Sequence, residues 1–179
     1  AQQQFNRRMT DFEQSIVSGL DAAMKRLQTD LPKEQKAQGH SLTGKSERSY
    51  EYEITVEAGK VRAVMINEDY VLALETGVRP ENVRYPISVM IAYWARRGVT
   101  GREGISAAWA TKRKHERVGI PTFESYRFSS TGERTGFMTT VIERDLELIG
   151  RILEEKTGLT LEIVLTPELD KIEPIRIFV

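Results

Sequence analysis

From Phe5 to Leu31 an apolar residue returns every three or four positions: Phe5, Met9, Phe12, Ile16, Leu20, Ala23 with Met24, Leu27 and Leu31. That spacing lines them up on one stripe of an α-helix over about 3–30, and Pro32 is expected to stop it. Such a helix is roughly 40 Å long at about 1.5 Å per residue, longer than a compact domain of this size can cover. Either the stripe packs on the chain's own sheet, or one end reaches a neighbouring subunit. Both readings stay open at the level of sequence.

Beyond Pro32 the pattern breaks. Residues 33–48 are polar, contain glycine and carry almost no apolar side chains, which predicts a mobile loop. Tyr50, Tyr52, Ile54 and Val56 then alternate with Glu51, Glu53 and Thr55, the period of two that marks a half-buried strand over 49–57. Ala58-Gly59 supplies a turn and 61–66 returns as a second strand, completing an antiparallel hairpin. Asp69 is placed to cap a short helix ending at Gly77. Pro86 suits the first turn of a helix over 86–97 that bears Ile87, Met90, Ile91, Trp94 and Ala95 and closes at Gly98. A third helix, 103–118, is read with Ile105, Ala108, Trp109 and Lys112 on its inner face and Gly119 at its end. Residues 121–136 scatter aromatics among Ser, Thr and Gly and read as an irregular loop. A helix over 137–156 follows, with Val141, Ile142, Leu146, Ile149, Ile152 and Leu153 as its stripe and Asp145 set aside on the polar face. Leu159, Leu161, Ile163 and Leu165 alternate as a last strand of the same sheet.

The expected fold is therefore α+β: a small, mainly antiparallel sheet packed by a long N-terminal helix and three further helices. Residues 1–165 form a single domain and 166–179 an arm. Pro167 and Pro174 keep the arm from being helical, while Ile175, Ile177 and Val179 alternate like a strand. That arm can complete its own sheet or dock on the edge of a neighbour.

Chemistry is thinly represented. The chain has 179 residues, no cysteine, and 26 basic residues against 26 acidic ones. The lack of cysteine removes thiol nucleophiles, disulfides and thiolate metal sites, and is compatible with a reducing cytoplasm. The charge balance removes any overall field that would drive the molecule onto DNA or an anionic membrane. No apolar run approaches the roughly 18 residues of a membrane helix, and the opening residues lack a signal-peptide pattern. His40 falls in the polar loop, where nothing rigid holds a catalytic base, and His115 in the run Lys112–Arg117, where a solvated helix face is expected. That run can be read as a phosphate-binding patch, but Glu116 interrupts it and no aromatics interleave it. Glu143, Asp145, Glu147, Glu154 and Glu155 can be read as metal-binding acids. They are interleaved with Arg144 and Arg151, which favours charge pairing along a polar helix face. Trp94 and Trp109 lie on apolar stripes and are expected as core anchors, or as subunit contacts. No catalytic, cofactor or metal residue is assigned.

The order of parts is the more telling feature. After a helix and a strand pair comes a Tyr-x-x-x-x-Glu-x-Gly turn, Tyr70 to Gly77, and then a helix introduced by Pro86, carrying Trp94 and closed by Gly98. A further helix ends in Gly-Ile-Pro-x-Phe, Gly119 to Phe123. In this order, over about residues 50–165, the chain resembles the neck, or tail-completion, proteins of tailed bacteriophages. It departs from their pattern in the loop Phe123 to Gly136 and in the tail after Thr166. The resemblance implies a structural virion protein and not an enzyme. It would form a homo-oligomeric ring at the head–tail junction, assembled in the host cytoplasm. Its implied partners are copies of itself, a head connector or head-closure protein, and a tail terminator or tail tube protein. Viral DNA passes through its channel, with no membrane involved and no cofactor. A tail terminator or head-closure ring of the same particle is the nearest alternative, and a metal-dependent nuclease a more distant one.

Overall fold

The computed structural model describes residues 10–41, 43–57 and 60–158. The expected strand 159–165, the arm 166–179 and helix residues 3–9, with Phe5 and Met9, lie outside the described residues. The fold is α+β. In chain order it runs α1 (Asp11–Ala37), β1 (Glu51–Glu57), β2 (Lys60–Ile66), α2 (Val71–Thr76), α3 (Ile87–Arg96), α4 (Gly101–Val118) and α5 (Phe137–Thr157). Short 3-10 turns occupy Ser46–Arg48, Pro80–Asn82 and Phe123–Phe128.

The described residues gather into two compact units. One comprises α1 as far as Glu34, residues 43–67 and α5 from Met138. The other comprises residues from Gln35 up to 41 together with Glu68–Phe137.

In the first unit a capping box fixes the start of α1. Glu13 N–H donates to Thr10 Oγ1 (3.1 Å), and Thr10 N–H donates back to Glu13 Oε2 (2.8 Å). Each bond satisfies a donor that the first helical turn leaves open. The helix therefore begins at Asp11, and Phe12, read as part of the buried stripe, is 50% exposed beside the cap. At its other end α1 does not stop at Pro32 but runs through it to Ala37. An internal proline costs about 3 kcal/mol. Burial of Leu31 just before it helps to offset that cost, and Gln35 just after it is packed inside as well. The first turn of the expected mobile loop is thus helix, with Gln38 and Ser46 also buried. Polar composition does not mean solvation here, since the side chains of Gln35, Gln38 and Ser46 are all packed inside the protein.

Helix α5 packs on α1. Ala23, Ile149 and Leu153 form the core of the contact, with Leu20 and Leu27 against it. Gly19 permits the close approach: a Cβ placed there would lie 3.0 Å from Leu153 Cδ2. The buried face of α5 repeats every fourth residue: Phe137, Val141, Asp145, Ile149 and Leu153. Asp145, expected on the polar face, is only 3% exposed. The hairpin pairs as read, Glu51 opposite Ile66 through Glu57 opposite Lys60. Its inner face is tied to α1 by Tyr52 Oη donating to Asp21 Oδ1 (2.6 Å) and Gln28 Nε2 donating to Tyr50 O (2.6 Å).

In the second unit α3 packs on α4. Trp94 Nε1–H donates to Thr111 Oγ1 (3.0 Å), and that hydroxyl donates to Ala107 O (2.9 Å). Helix α2 ends at Gly77 as expected, but its start is at Tyr70 with no side-chain cap, so Asp69 does not play that role. Gly77 and Gly119, both at positive φ, flank a two-way bridge between Val78 and Ile120, whose N–H groups donate to each other's carbonyls at 2.7 and 2.8 Å. A Cβ at Gly119 would lie 2.6 Å from Val78 O, so the bridge depends on glycine there. The peptide bond Ile120–Pro121 is cis.

Candidate functional site

Helix α4 buries its small residues and displays its large ones. Gly104 and Ala108 are buried (Ala108 is 0% exposed), and Thr111 and His115 continue that face. A Cβ at Gly104 would lie 2.5 Å from Val99 O, in the connection that follows α3, so that position requires glycine. Ile105 and Trp109, expected on the inner face, point outward, with Trp109 43% exposed. Ala108 is buried as expected, while Ile105 and Trp109 face out, since the size of an apolar side chain does not by itself fix its burial. Trp94 by contrast is half-buried and hydrogen-bonded, as an anchor between helices.

Exposed apolar residues also occur at the end of α4, Val118, and in the turn Phe123–Phe128 that follows. Phe123 is 88% exposed, and Tyr126 and Phe128 are also exposed. A soluble surface scatters single apolar residues, but three exposed aromatics within one six-residue turn, Phe123, Tyr126 and Phe128, mark a candidate interaction site. Two arginines frame it. The Arg97 guanidinium lies 4.7 Å from the Tyr93 ring centre and 5.0 Å from that of Phe128, while Arg127 lies 4.8 Å from Phe128. Each such contact on a wet surface is worth about 0.5–1 kcal/mol, and holds an otherwise flexible cation in place. Sequence reading missed this surface because residues 121–136 lack periodicity. The available signal was the recurrence of aromatics beside arginine in Phe-Glu-Ser-Tyr-Arg-Phe.

Behind the turn sits His40. Its Nε2–H donates to Arg134 O (3.0 Å), and its ring tilts against Phe137 at 6.2 Å. Arg134 Nη1 in turn donates to Gln38 O (2.7 Å). Burial, aided by the Arg134 charge, pushes His40 down to about 4. Far from lying in a mobile loop, it is a neutral structural ring. His115 is likewise half-buried and not on a solvated face. Its Nδ1 is 2.7 Å from Tyr85 Oη. Burial raises Tyr85 to about 12 and lowers His115, so a neutral phenol donates to a neutral imidazole.

The remaining candidates are absorbed by charge pairing. In the basic run Lys112 pairs with Glu116 and Lys114 with Glu124, which removes much of its attraction for phosphate. Asp145 accepts from Arg144 Nε at 3.0 Å and faces Arg26 Nε at 3.6 Å. Asp30 shares the same arginines, at 2.6 Å from Arg26 Nε and 3.8 Å from Arg144 Nη2, and takes Lys33 Nζ at 2.8 Å. Burial alone would push Asp30 up; Lys33, Arg26 and Arg144 together outweigh it and hold the carboxyl below its usual range. Glu143, Glu147 and Glu155 are exposed and Glu154 half-buried, with Glu147 3.6 Å from Arg151. Among the described residues no three His, Asp or Glu side chains gather where a metal could sit, and no helix is long and apolar enough to cross a membrane.

Compared with known protein families, curated proteins and solved structures, the chain matches none. The functional argument therefore rests on the residues themselves.

Proposed function

We propose that the protein is a structural component of the bacteriophage neck, a ring that joins the head connector to the tail and leaves a channel for DNA. The observation that carries this reading is the exposed apolar surface of α4 and the turn after it, from Ile105 and Trp109 to Phe123, Tyr126 and Phe128. Apolar groups left in water in the monomer are covered on assembly, and each large side chain buried there contributes roughly 1.5–3 kcal/mol before ordering costs. The order of elements supports the same reading, since helix, hairpin, Glu-x-Gly turn, Trp-bearing helix and Gly-Ile-Pro helix end follow one another as in the neck proteins the sequence resembles. A ring serves this role with interfaces and without a reactive centre. The tail terminator and head-closure ring are stations of the same particle that the same surface would suit.

Electron microscopy and sedimentation of the purified protein, alone and with DNA-filled heads that lack it, test the proposal. Closed rings, or rings formed on the head vertex that restore tail joining, are the expected result. Sustained cleavage of linear DNA with magnesium or manganese, abolished by Glu143→Ala or Asp145→Ala, would replace the structural reading with the nuclease one.

A further inference from the structure

We infer that the arginine–aromatic face around Phe128 of one copy docks on the acidic, apolar open end of the β1–β2 hairpin of a second copy. This rests on the ring reading and gives it a specific lateral contact.

The hairpin presents four outward side chains as a tile. Glu51 stands opposite Ile66 and Glu53 opposite Val64, all four exposed. Directly opposed residues have Cβ atoms about 4.5–5.5 Å apart, so two carboxylates and two aliphatic groups share one small area. Toward the turn basic residues predominate, with Lys60 opposite Glu57 and the exposed Arg62 opposite Thr55. The excess negative charge therefore sits at the open end, beside the only exposed large apolar residues of the two strands, Val64 and Ile66.

The Phe128 face is the converse. Arg97 and Arg127 both lie against the Phe128 ring, at 5.0 and 4.8 Å from its centre. Both are exposed, and among the described residues neither has a carboxylate within ion-pair reach, unlike Lys112 and Lys114 nearby. Guanidiniums already held on ring faces lose little freedom when they meet a carboxylate. Two cations around an aromatic ring thus match two anions beside two aliphatic side chains in charge and in apolar content. A nucleic acid is a poorer fit, because the neighbouring Lys112 and Lys114 are already paired with carboxylates and leave little further charge for a phosphate backbone. Neither patch complements itself, since like charges would oppose each other. The contact is therefore heterologous, the type that closes rings.

The test is a charge-reversal cycle in the full chain, read by sedimentation over a range of concentrations beside the melting temperature of each variant. R97E/R127E and E51K/E53K are each expected to raise the concentration needed for assembly by roughly tenfold or more. The fourfold variant carrying both reversals should return it to near the wild-type value. If a reversed pair fails to fold, R97Q/R127Q or E51Q/E53Q replaces it with the same readout. Wild-type-like assembly by both pairs, or loss in both with no recovery in the fourfold variant, would overturn this contact while leaving the ring intact. A wild-type chain that stays monomeric alone and on heads lacking it would overturn the ring and the contact together.

Discussion

Helices α4 and α5 carry similar amphipathic sequences and use them in opposite ways. On α5 the large residues Phe137, Val141, Ile149 and Leu153 are buried, and even Asp145 lies within that face. On α4 the buried positions are Gly104 and Ala108, while Ile105 and Trp109 face water. An apolar stripe thus reports that something will cover it, but not whether the cover is the same chain. Burial follows from what packs against the helix: α1 on α5, and the closely approaching α3 on the small-residue face of α4.

The largest expected effects lie on α5. Phe137→Ala should cost about 3–5 kcal/mol and Leu153→Ala about 2–5 kcal/mol, read from denaturant unfolding. A loss below about 1 kcal/mol at either site would mean that α5 is not the core helix described. Asp145→Ala should cost about 2 kcal/mol: it removes a buried acid, and the partners it leaves, Arg26 and Arg144, are half in water. An unchanged or raised stability would show that the ion-pair group is a burden and not a clasp.

Acid should act on both units, through different groups. His40 is held at about 4 against an ordinary 6.5, so the folded chain refuses a proton that the unfolded chain accepts. Its contribution is complete above about pH 6.5 and is lost progressively as the pH falls toward 4. It amounts to no more than about 3 kcal/mol, and water at the half-buried ring reduces it. Asp30, held below its ordinary 3.8, adds a second loss only as the pH drops beneath that value. His40→Gln should flatten the upper limb of the melting profile between pH 6.5 and 4, leaving a smaller slope from His115, which is depressed in the same direction. A profile as steep as wild type would remove His40 from the account.

How far the sequence could be read follows the same division. The hairpin was visible because Tyr52, Ile54 and Val56 alternate against glutamates, and the ends of α2 and α4 because Gly77 and Gly119 permit positive φ. These are local signals. The burial of Asp145 and the inward turn of His115 were not visible, because each depends on a partner distant in sequence, Arg26 for Asp145 and Tyr85 for His115. The Phe123–Phe128 turn escaped for the opposite reason, having no regular period to detect.

The smallest effects on the monomer are expected on α4 and the turn after it. Trp109→Ala should cost under about 1 kcal/mol and Phe123→Ser within about 0.5 kcal/mol, as at exposed sites generally. Trp94→Ala, by comparison, should approach the 3–5 kcal/mol of a large aromatic deletion. Equal losses at Trp94 and Trp109 would erase the distinction between inner and outer faces of this unit.

Electron microscopy of wild-type protein beside Phe123→Ser, with the melting temperature of both recorded, separates assembly through this surface from folding. Rings are expected for the wild type and few or none for Phe123→Ser, with melting within a degree or two of each other. Rings of equal abundance from both chains, or a Phe123→Ser variant that fails to assemble only because it no longer folds, would contradict assembly through this surface.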